Sequence, residues 1–494
     1  MTLGDITKSD LSYKVGFLTV IRSRNGYSCG FSCFDILYME MSNEDYVNLF
    51  GNLKGVENMH VNFKKTIGKI KPMHAVNNVP LIGATDKLFH YVGEAGIPFS
   101  RLHDTGGAYG GGRFVDIANI FRNFDADEND PASYDFAFTD WLLNAIDAQK
   151  AKVFYRLGAT IENQQNIKAY YIYPPKDNMK WAKICEKIIA HYNEGWANGY
   201  RLGIEYWEIW NEPDNYPNIR DNCMWKGTFE QYLELYKVTA PYLKERFPYI
   251  KIGGYASCGF YNLFENNVAK IANSSSRTEY FIECFEKFMK FVQENKLPLD
   301  FFSWHSYSDV EKNIAYENYV HSTLQKYGFL NTESILNEWN PGISKRGTLE
   351  DSCNVLDMML QMQNTTVDML MYYDGQVHGS YQGLYNPVTF EPFKTYYVFK
   401  AFSVLYKLGN QVEIIDDFDG ISCVAAIGKD KKAILMTNKN TEKKKIQLVM
   451  DTEESLYMYR LNCNLNLKVD GEIRSEDFLE IGQFETFLLS SQIL

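Results

Sequence analysis

No stretch of this 494-residue sequence reaches the ~20 consecutive apolar residues that a membrane-spanning helix needs. Its start, Met1-Thr2-Leu3-Gly4-Asp5, lacks the basic and apolar segments of a secretory signal. A cytoplasmic protein is therefore expected, although a chain with its signal removed would read the same way. Long Lys/Arg runs are also missing, and the net charge is −12, which argues against nucleic acid and against a membrane surface as partners. The one dense basic run, Lys443 to Lys445 with Lys439 nearby, lies in a strand-and-turn pattern and reads as a solvated hairpin. The nine cysteines are scattered and contain no CxxC pair, so reduced thiols are expected, with no disulfide framework and no zinc site. Phosphate-cradle motifs are lacking too. The glycine-rich Gly106-Gly107-Ala108-Tyr109-Gly110-Gly111-Gly112 fits neither GxxxxGK[ST] nor GxGxxG in a strand–helix frame, and reads as a long rim loop. No metal or organic cofactor is expected.

What is present is a long alternation of strand-like and helix-like segments. Apolar strands are expected at Ile70–Val76, Ile97–His103, Val153–Leu157, around Trp207, at Lys251–Ala256, Asp300–Tyr307, Ser334–Trp339 and Val367–Tyr373. Helical periodicity falls between many of them. Thr228 and Gln231, for example, have capping-box spacing ahead of a helix that Pro248 closes. Eight strands alternating with helices predict an α/β fold, a (β/α)8 TIM barrel over residues 66–409. From Val412 the apolar period becomes two, which predicts an accessory all-β sandwich over 410–494. Residues 1–65, with strand-like runs at Tyr13–Ile21 and Tyr27–Met39, read as a leading arm grouped with that β unit.

Two segments carry the chemistry. In Trp207-Glu208-Ile209-Trp210-Asn211-Glu212-Pro213-Asp214 an apolar strand ends at a proline, which puts Asn211 and Glu212 on the catalytic rim of a barrel. A carboxyl among tryptophans is expected to have a raised pKa, as a general acid needs. Alone, the segment also reads as a buried Asn–Glu pair ordering a turn. Asn337-Glu338-Trp339-Asn340 mirrors it three strands later. Two carboxyls across a cleft are the machinery of glycoside hydrolysis, and their separation, which a sequence cannot measure, decides retention or inversion. Other strand ends supply candidates. Arg101 can hold Glu338 ionised, and Tyr307 can donate to it. His103 and His305 can bond sugar hydroxyls. Trp339, beside Glu338, is a further supporting candidate.

These residues resemble glycoside hydrolase family 39, within the clan of retaining (β/α)8 glycosidases. The resemblance covers about residues 68–408. It rests on Pro174-Pro175-Lys176-Asp177 followed by Lys180-Trp181, on Glu208-Ile209-Trp210-Asn211-Glu212-Pro213, and on His305-Ser306-Tyr307. It implies Glu212 as acid/base, Glu338 as nucleophile, Asn211 as holder of the sugar 2-hydroxyl, and His103 as a sugar-binding histidine. The usual Thr-Glu-Tyr-Asn around the nucleophile is Asn337-Glu338-Trp339-Asn340 here. Strand eight ends Tyr372-Tyr373-Asp374-Gly375-Gln376 in place of a Tyr-Trp pair followed by paired acids, so the resemblance implies Tyr373 in place of the stacking tryptophan and Asp374 or Gln376 as polar contacts. A retaining exo-glycosidase is implied, β-xylosidase-like on plant-derived oligosaccharides. Arabinosidase, glucosidase, galactosidase, uronidase or transglycosylase activity stays open, as does a non-catalytic carbohydrate-binding role. Expected partners are an oligosaccharide or glycoside substrate, with a homo-oligomer left open.

Overall fold

The computed structural model describes residues 57–494 apart from 84, 104, 106–113, 161–171, 264–274, 380, 382, 417 and 494, together with two short earlier strands. The chain divides into two compact units, Met1–Glu57 and Asn58–Leu494. In the first, β1 (Tyr13–Gly16) pairs antiparallel with β2 (Tyr38–Met41), Tyr13 opposite Met41. The rest of the two expected strand runs there lies outside the described residues, as does the glycine-rich rim loop 106–112.

The second unit opens with β3 (Glu57–Lys69) and then enters a closed parallel barrel. Its staves are β4 (Ala75–Asn77), β5 (Phe99–Leu102), β6 (Lys152–Leu157), β7 (Tyr206–Ile209), β8 (Lys251–Ser257), β9 (Phe301–Ser306), β10 (Glu333–Trp339) and β11 (Met369–Tyr372). All eight expected strands are found. The first is displaced, beginning at Ala75 and not at Ile70. Pro72 has no N–H for a ladder, and the Ile70 amide donates instead to Gly409. The helix Phe229–Arg246 carries the expected capping box between Thr228 and Gln231. Two long helices were not singled out in the sequence, Val310–Lys326 and Leu349–Gln363. Asn313, Glu317 and Thr323 sit on the buried face of the first, and Asp351 and Asp357 on that of the second. These polar residues interrupt the apolar stripe that reveals a helix.

The barrel interior is built in layers. Ala75, Phe99, Phe154, Tyr206, Phe301, Ile335, Met369 and Met371 form an apolar plug. Two residues further along five of these strands stand Asn77, Arg101, Arg156, Glu208 and Asn337, all buried. Side chains two apart on a strand share a face, so the plug is succeeded by a polar layer toward the C-terminal mouth.

The last strands, β12 (Asn410–Asp416), β13 (Ile421–Gly428), β14 (Lys431–Asn438), β15 (Lys444–Met450), β16 (Leu456–Leu461), β17 (Asn466–Ile473), β18 (Phe478–Ile481) and β19 (Thr486–Ser490), join β3 in one nine-stranded sheet. Its order is β17-β16-β19-β14-β13-β12-β3-β15-β18. Ile473 from one edge strand and Leu479 and Ile481 from the other share one apolar cluster with Met59, Val61 and Phe63. The all-β unit is therefore a single sheet, curled so that its apolar face closes on itself.

Candidate active site

The polar layer carries the site. Arg101, fully buried on β5, donates four hydrogen bonds from its guanidinium. Nε donates to Glu208 Oε2 at 2.8 Å and Nη2 lies 2.7 Å from the same oxygen. Nη1 donates to Asn77 Oδ1 at 3.0 Å and to Glu338 Oε1 at 2.7 Å, and Nη2 to Asn211 Oδ1 at 2.5 Å. Burial opposes its charge, but Glu208 and Glu338 push its pKa above the ordinary arginine value. One cation thus ties together four strands. Asn337 Nδ2 donates to the remaining Glu208 oxygen at 2.6 Å, and Asn77 Nδ2 to the Asn337 carbonyl at 2.7 Å.

Glu338 reaches this layer through a bulge. The pairing of β10 with β9 slips between Leu336 and Glu338, so Asn337 and Glu338 both contribute to the interior. The second Glu338 oxygen accepts from the Tyr307 hydroxyl at 3.0 Å. His305 Nδ1 lies 3.4 Å from that oxygen, and His103 Nε2 lies 3.8 Å from the first. Burial and the Glu338 charge raise the Tyr307 pKa well above the usual tyrosine value, so its hydroxyl stays a donor. His103 is held well below the ordinary histidine range by burial and by Arg101 and Arg156. It is a neutral ring.

Glu212 follows β7 on a backbone with φ of +76° at Trp210 and +46° at Glu212, a conformation non-glycine residues adopt only where the surroundings enforce it. Here the Trp210 amide is held by Leu157 O at 2.7 Å, and the Glu212 amide by Tyr255 O and Ala256 O at 3.2 and 3.1 Å. Glu212 Oε1 lies 2.7 Å from His305 Nδ1, and Oε2 accepts from Asn215 Nδ2 at 2.8 Å. The expected raised pKa is corrected. Burial does push the carboxyl up, but the hydrogen bond and charge of His305, with Asn215 and Arg277, bring it below the ordinary glutamate value. His305 moves the opposite way: burial opposes its charge, and Glu338 and Glu212 raise its pKa. The tryptophans do not wall the carboxyl. Trp207 stacks on Tyr155 and donates to Ile204 O, and Trp210 packs on Trp225 and donates to Met224 O.

Of the remaining candidates, Trp339 is not brought to the site. It alternates with Glu338, packs edge-on against Tyr372 and belongs to the large core outside the barrel plug. Tyr373 stands at the rim with Tyr307 and Tyr381, forming ring pairs 5.0–6.4 Å apart. Asp374 is buried beside it, held by the Gln376 amide and side chain at 3.3 Å each. Burial, with the Glu338 charge, lifts its pKa to about 7. His305 bridges the two glutamates and was expected only to bond sugar. Glu208, Asn77, Arg156 and Asn215 were not singled out in the sequence. A Glu or Arg two residues beyond an inward aromatic, as in Tyr206/Glu208 or Phe154/Arg156, is the signal that finds Glu208 and Arg156; nothing local marks Asn77 or Asn215.

One oxygen each of Glu212 and Glu338 and a nitrogen of His305 lie within 4.8 Å of one another. That donor set also suits a divalent cation, but Arg101 and Tyr307 already occupy Glu338 and would compete with one.

Residues 63–400 match the family model for glycosyl hydrolases family 39. A β-xylosidase of Geobacillus stearothermophilus is 27% identical over 230 residues, covering 44% of this chain and 39% of the relative. A β-xylosidase of Caldicellulosiruptor saccharolyticus is 27% identical over 137 residues, covering 28% and 22%. The chain thus matches about two fifths or less of the length of these relatives. Among solved structures, a glucosidase from Croceicoccus marinus superposes with a TM-score of 0.69 at 17% identity, covering 90% of this chain and all of that one. A family 39 β-xylosidase from Caulobacter crescentus gives 0.62 at 16% identity, covering 87% and 99%. At such identities the structural likeness shows the fold.

Proposed function

The chain belongs to glycosyl hydrolases family 39, and from that premise we propose that it is a retaining, exo-acting glycosidase with Glu338 as nucleophile and Glu212 as acid/base. The observation that carries the reading is the pair of carboxylates within 4.8 Å whose partners differ in kind. Glu338 is held by a permanent cation and a hydroxyl donor, which aim an oxygen for attack at the anomeric carbon. Glu212 shares a hydrogen bond with His305, whose pKa Glu338 and Glu212 raise against the cost of burial, an arrangement suited to storing a proton beside the leaving-group oxygen. In the first step Glu338 forms the bond to the anomeric carbon as the bond from that carbon to the leaving-group oxygen breaks, and the His305 proton passes through Glu212 to the departing oxygen. In the second, Glu212 takes a proton from water, which displaces Glu338 and restores the original configuration. Arg101 engages the Oδ1 of Asn211, which leaves the Nδ2 end to donate to the sugar 2-hydroxyl.

The substrate reading is a terminal β-xyloside, supported by the names of the two relatives. Neutral His103 and buried Asp374 bond the sugar hydroxyls in this reading. Glu338→Ala is expected to abolish hydrolysis of an aryl β-xyloside, and added azide to restore turnover with a glycosyl azide of inverted configuration. A Glu338→Ala enzyme with wild-type activity ends the proposal. Activity confined to another sugar in a screen of aryl glycosides keeps the mechanism and removes the xyloside.

A further inference from the structure

The two oxygens of Glu212 face different neighbours. Oε1 faces His305 and, through it, Glu338; Oε2 faces Asn215. In a double displacement the leaving group sits beside the acid and away from the nucleophile, on the Asn215 side. The next residue along the loop is Tyr216, which is 36% exposed although most large aromatics here are buried. It is braced from behind. The Arg277 guanidinium lies 4.1 Å from the Tyr216 ring centre and 5.2 Å from that of Phe281, and its Nε donates to the Asn215 carbonyl at 2.7 Å. Asn222 Nδ2, bound to Pro213 O at 2.9 Å, also reaches Tyr216 O at 3.3 Å. The Arg277 charge is felt by Glu212 itself.

We propose that Tyr216, backed by Arg277, is the platform on which the leaving-group sugar ring stacks, and that the same platform receives an acceptor sugar in the reverse direction. A tyrosine ring with a cation on one face keeps its other face for the C–H face of a pyranose. Through Asn215 the platform is in register with the carboxyl that protonates the departing oxygen. The inference rests on the assignment of Glu212 and Glu338 and adds a subsite to it.

The test compares two substrates of one enzyme. Xylobiose has a sugar leaving group; the xylosyl fluoride of the same anomer has none to stack. Tyr216→Ala is expected to lower kcat/KM for xylobiose about tenfold, a loss of roughly 1.4 kcal/mol, and to leave the fluoride within twofold. Tyr216→Phe should keep both rates, since the ring remains. Added xylose should divert the glycosyl-enzyme to transfer product in the wild type and not in Tyr216→Ala, while methanol should act equally on both. An unchanged xylobiose rate in Tyr216→Ala, or an equal loss on both substrates, overturns the platform. A still-active Glu338→Ala would instead overturn the assignment beneath it.

Discussion

Glu212 and Glu338 stand at the ends of β7 and β10 in almost the same sequence setting, each after an asparagine and close to a tryptophan. Their surroundings in the barrel are unlike. Glu338 is bound by Arg101 and Tyr307, and Glu212 by His305 and Asn215. A guanidinium does not give up its proton in the working pH range, so it offers only donors to what it holds. An imidazole does exchange its proton, so what it holds can carry one. The role of each glutamate thus comes from side chains on other strands, chiefly β5 and β9, more than from the residues beside it.

The contrast can be broken most severely at Arg101. Arg101→Met leaves Glu208 and Glu338 buried without their cation, and removing one partner of a buried pair costs about 3–5 kcal/mol. A large fall in Tm together with loss of turnover is expected, measured by thermal unfolding and by the aryl xyloside assay. Wild-type stability would mean that Glu208 and Glu338 do not depend on the cation. His305 offers a finer cut. Its raised pKa and the lowered one of Glu212 mean that their shared proton sits on the imidazole and leaves as pH rises through a value above the usual histidine range. Activity on poor leaving groups should therefore fall on that alkaline limb. In His305→Gln only the carboxyl can store the proton. The limb should move to lower pH, with a loss of about 10²-fold on poor leaving groups and far less on activated ones. An unmoved limb would separate His305 from the proton. The mildest change is Tyr307→Phe, which removes one hydrogen bond from Glu338, worth about 0.5–1.5 kcal/mol. A roughly tenfold lower kcat with an unchanged alkaline limb is expected. A shifted limb would blur the distinction between the two glutamates.

The barrel and its two glutamates were legible because period and composition are local properties. Runs such as Phe301–Ser306 and Ser334–Trp339 declare themselves as strands, and a glutamate at the end of one stands out. The direction of the Glu212 pKa was not legible, because it depends on a histidine 93 residues away in sequence. The position of Trp339 was legible and was misread: alternation along a strand sends it to the face opposite Glu338. The inward turn of Asn337 together with Glu338 depends on a bulge that no residue in the segment announces. Asp374 and Tyr373 were named from their place at the end of β11, whereas Tyr216 and Arg277 meet only once the loop after β7 is folded against the helix Ser275–Glu294.

Strand β3 sits between β12 and β15 although it precedes the barrel, and β4 closes the barrel against β11. Both seams join segments roughly 300 or more residues apart. During synthesis Met59, Val61 and Phe63 therefore emerge long before the strands that cover them. Non-local pairing of this kind slows folding and prolongs the exposure of sticky edges. Cutting the gene after the last barrel helix would leave that strand permanently uncovered. The β sheet and the barrel are consequently one unit of expression, and a shortened version meant to retain catalysis would have to lose residues 57–69 along with the tail.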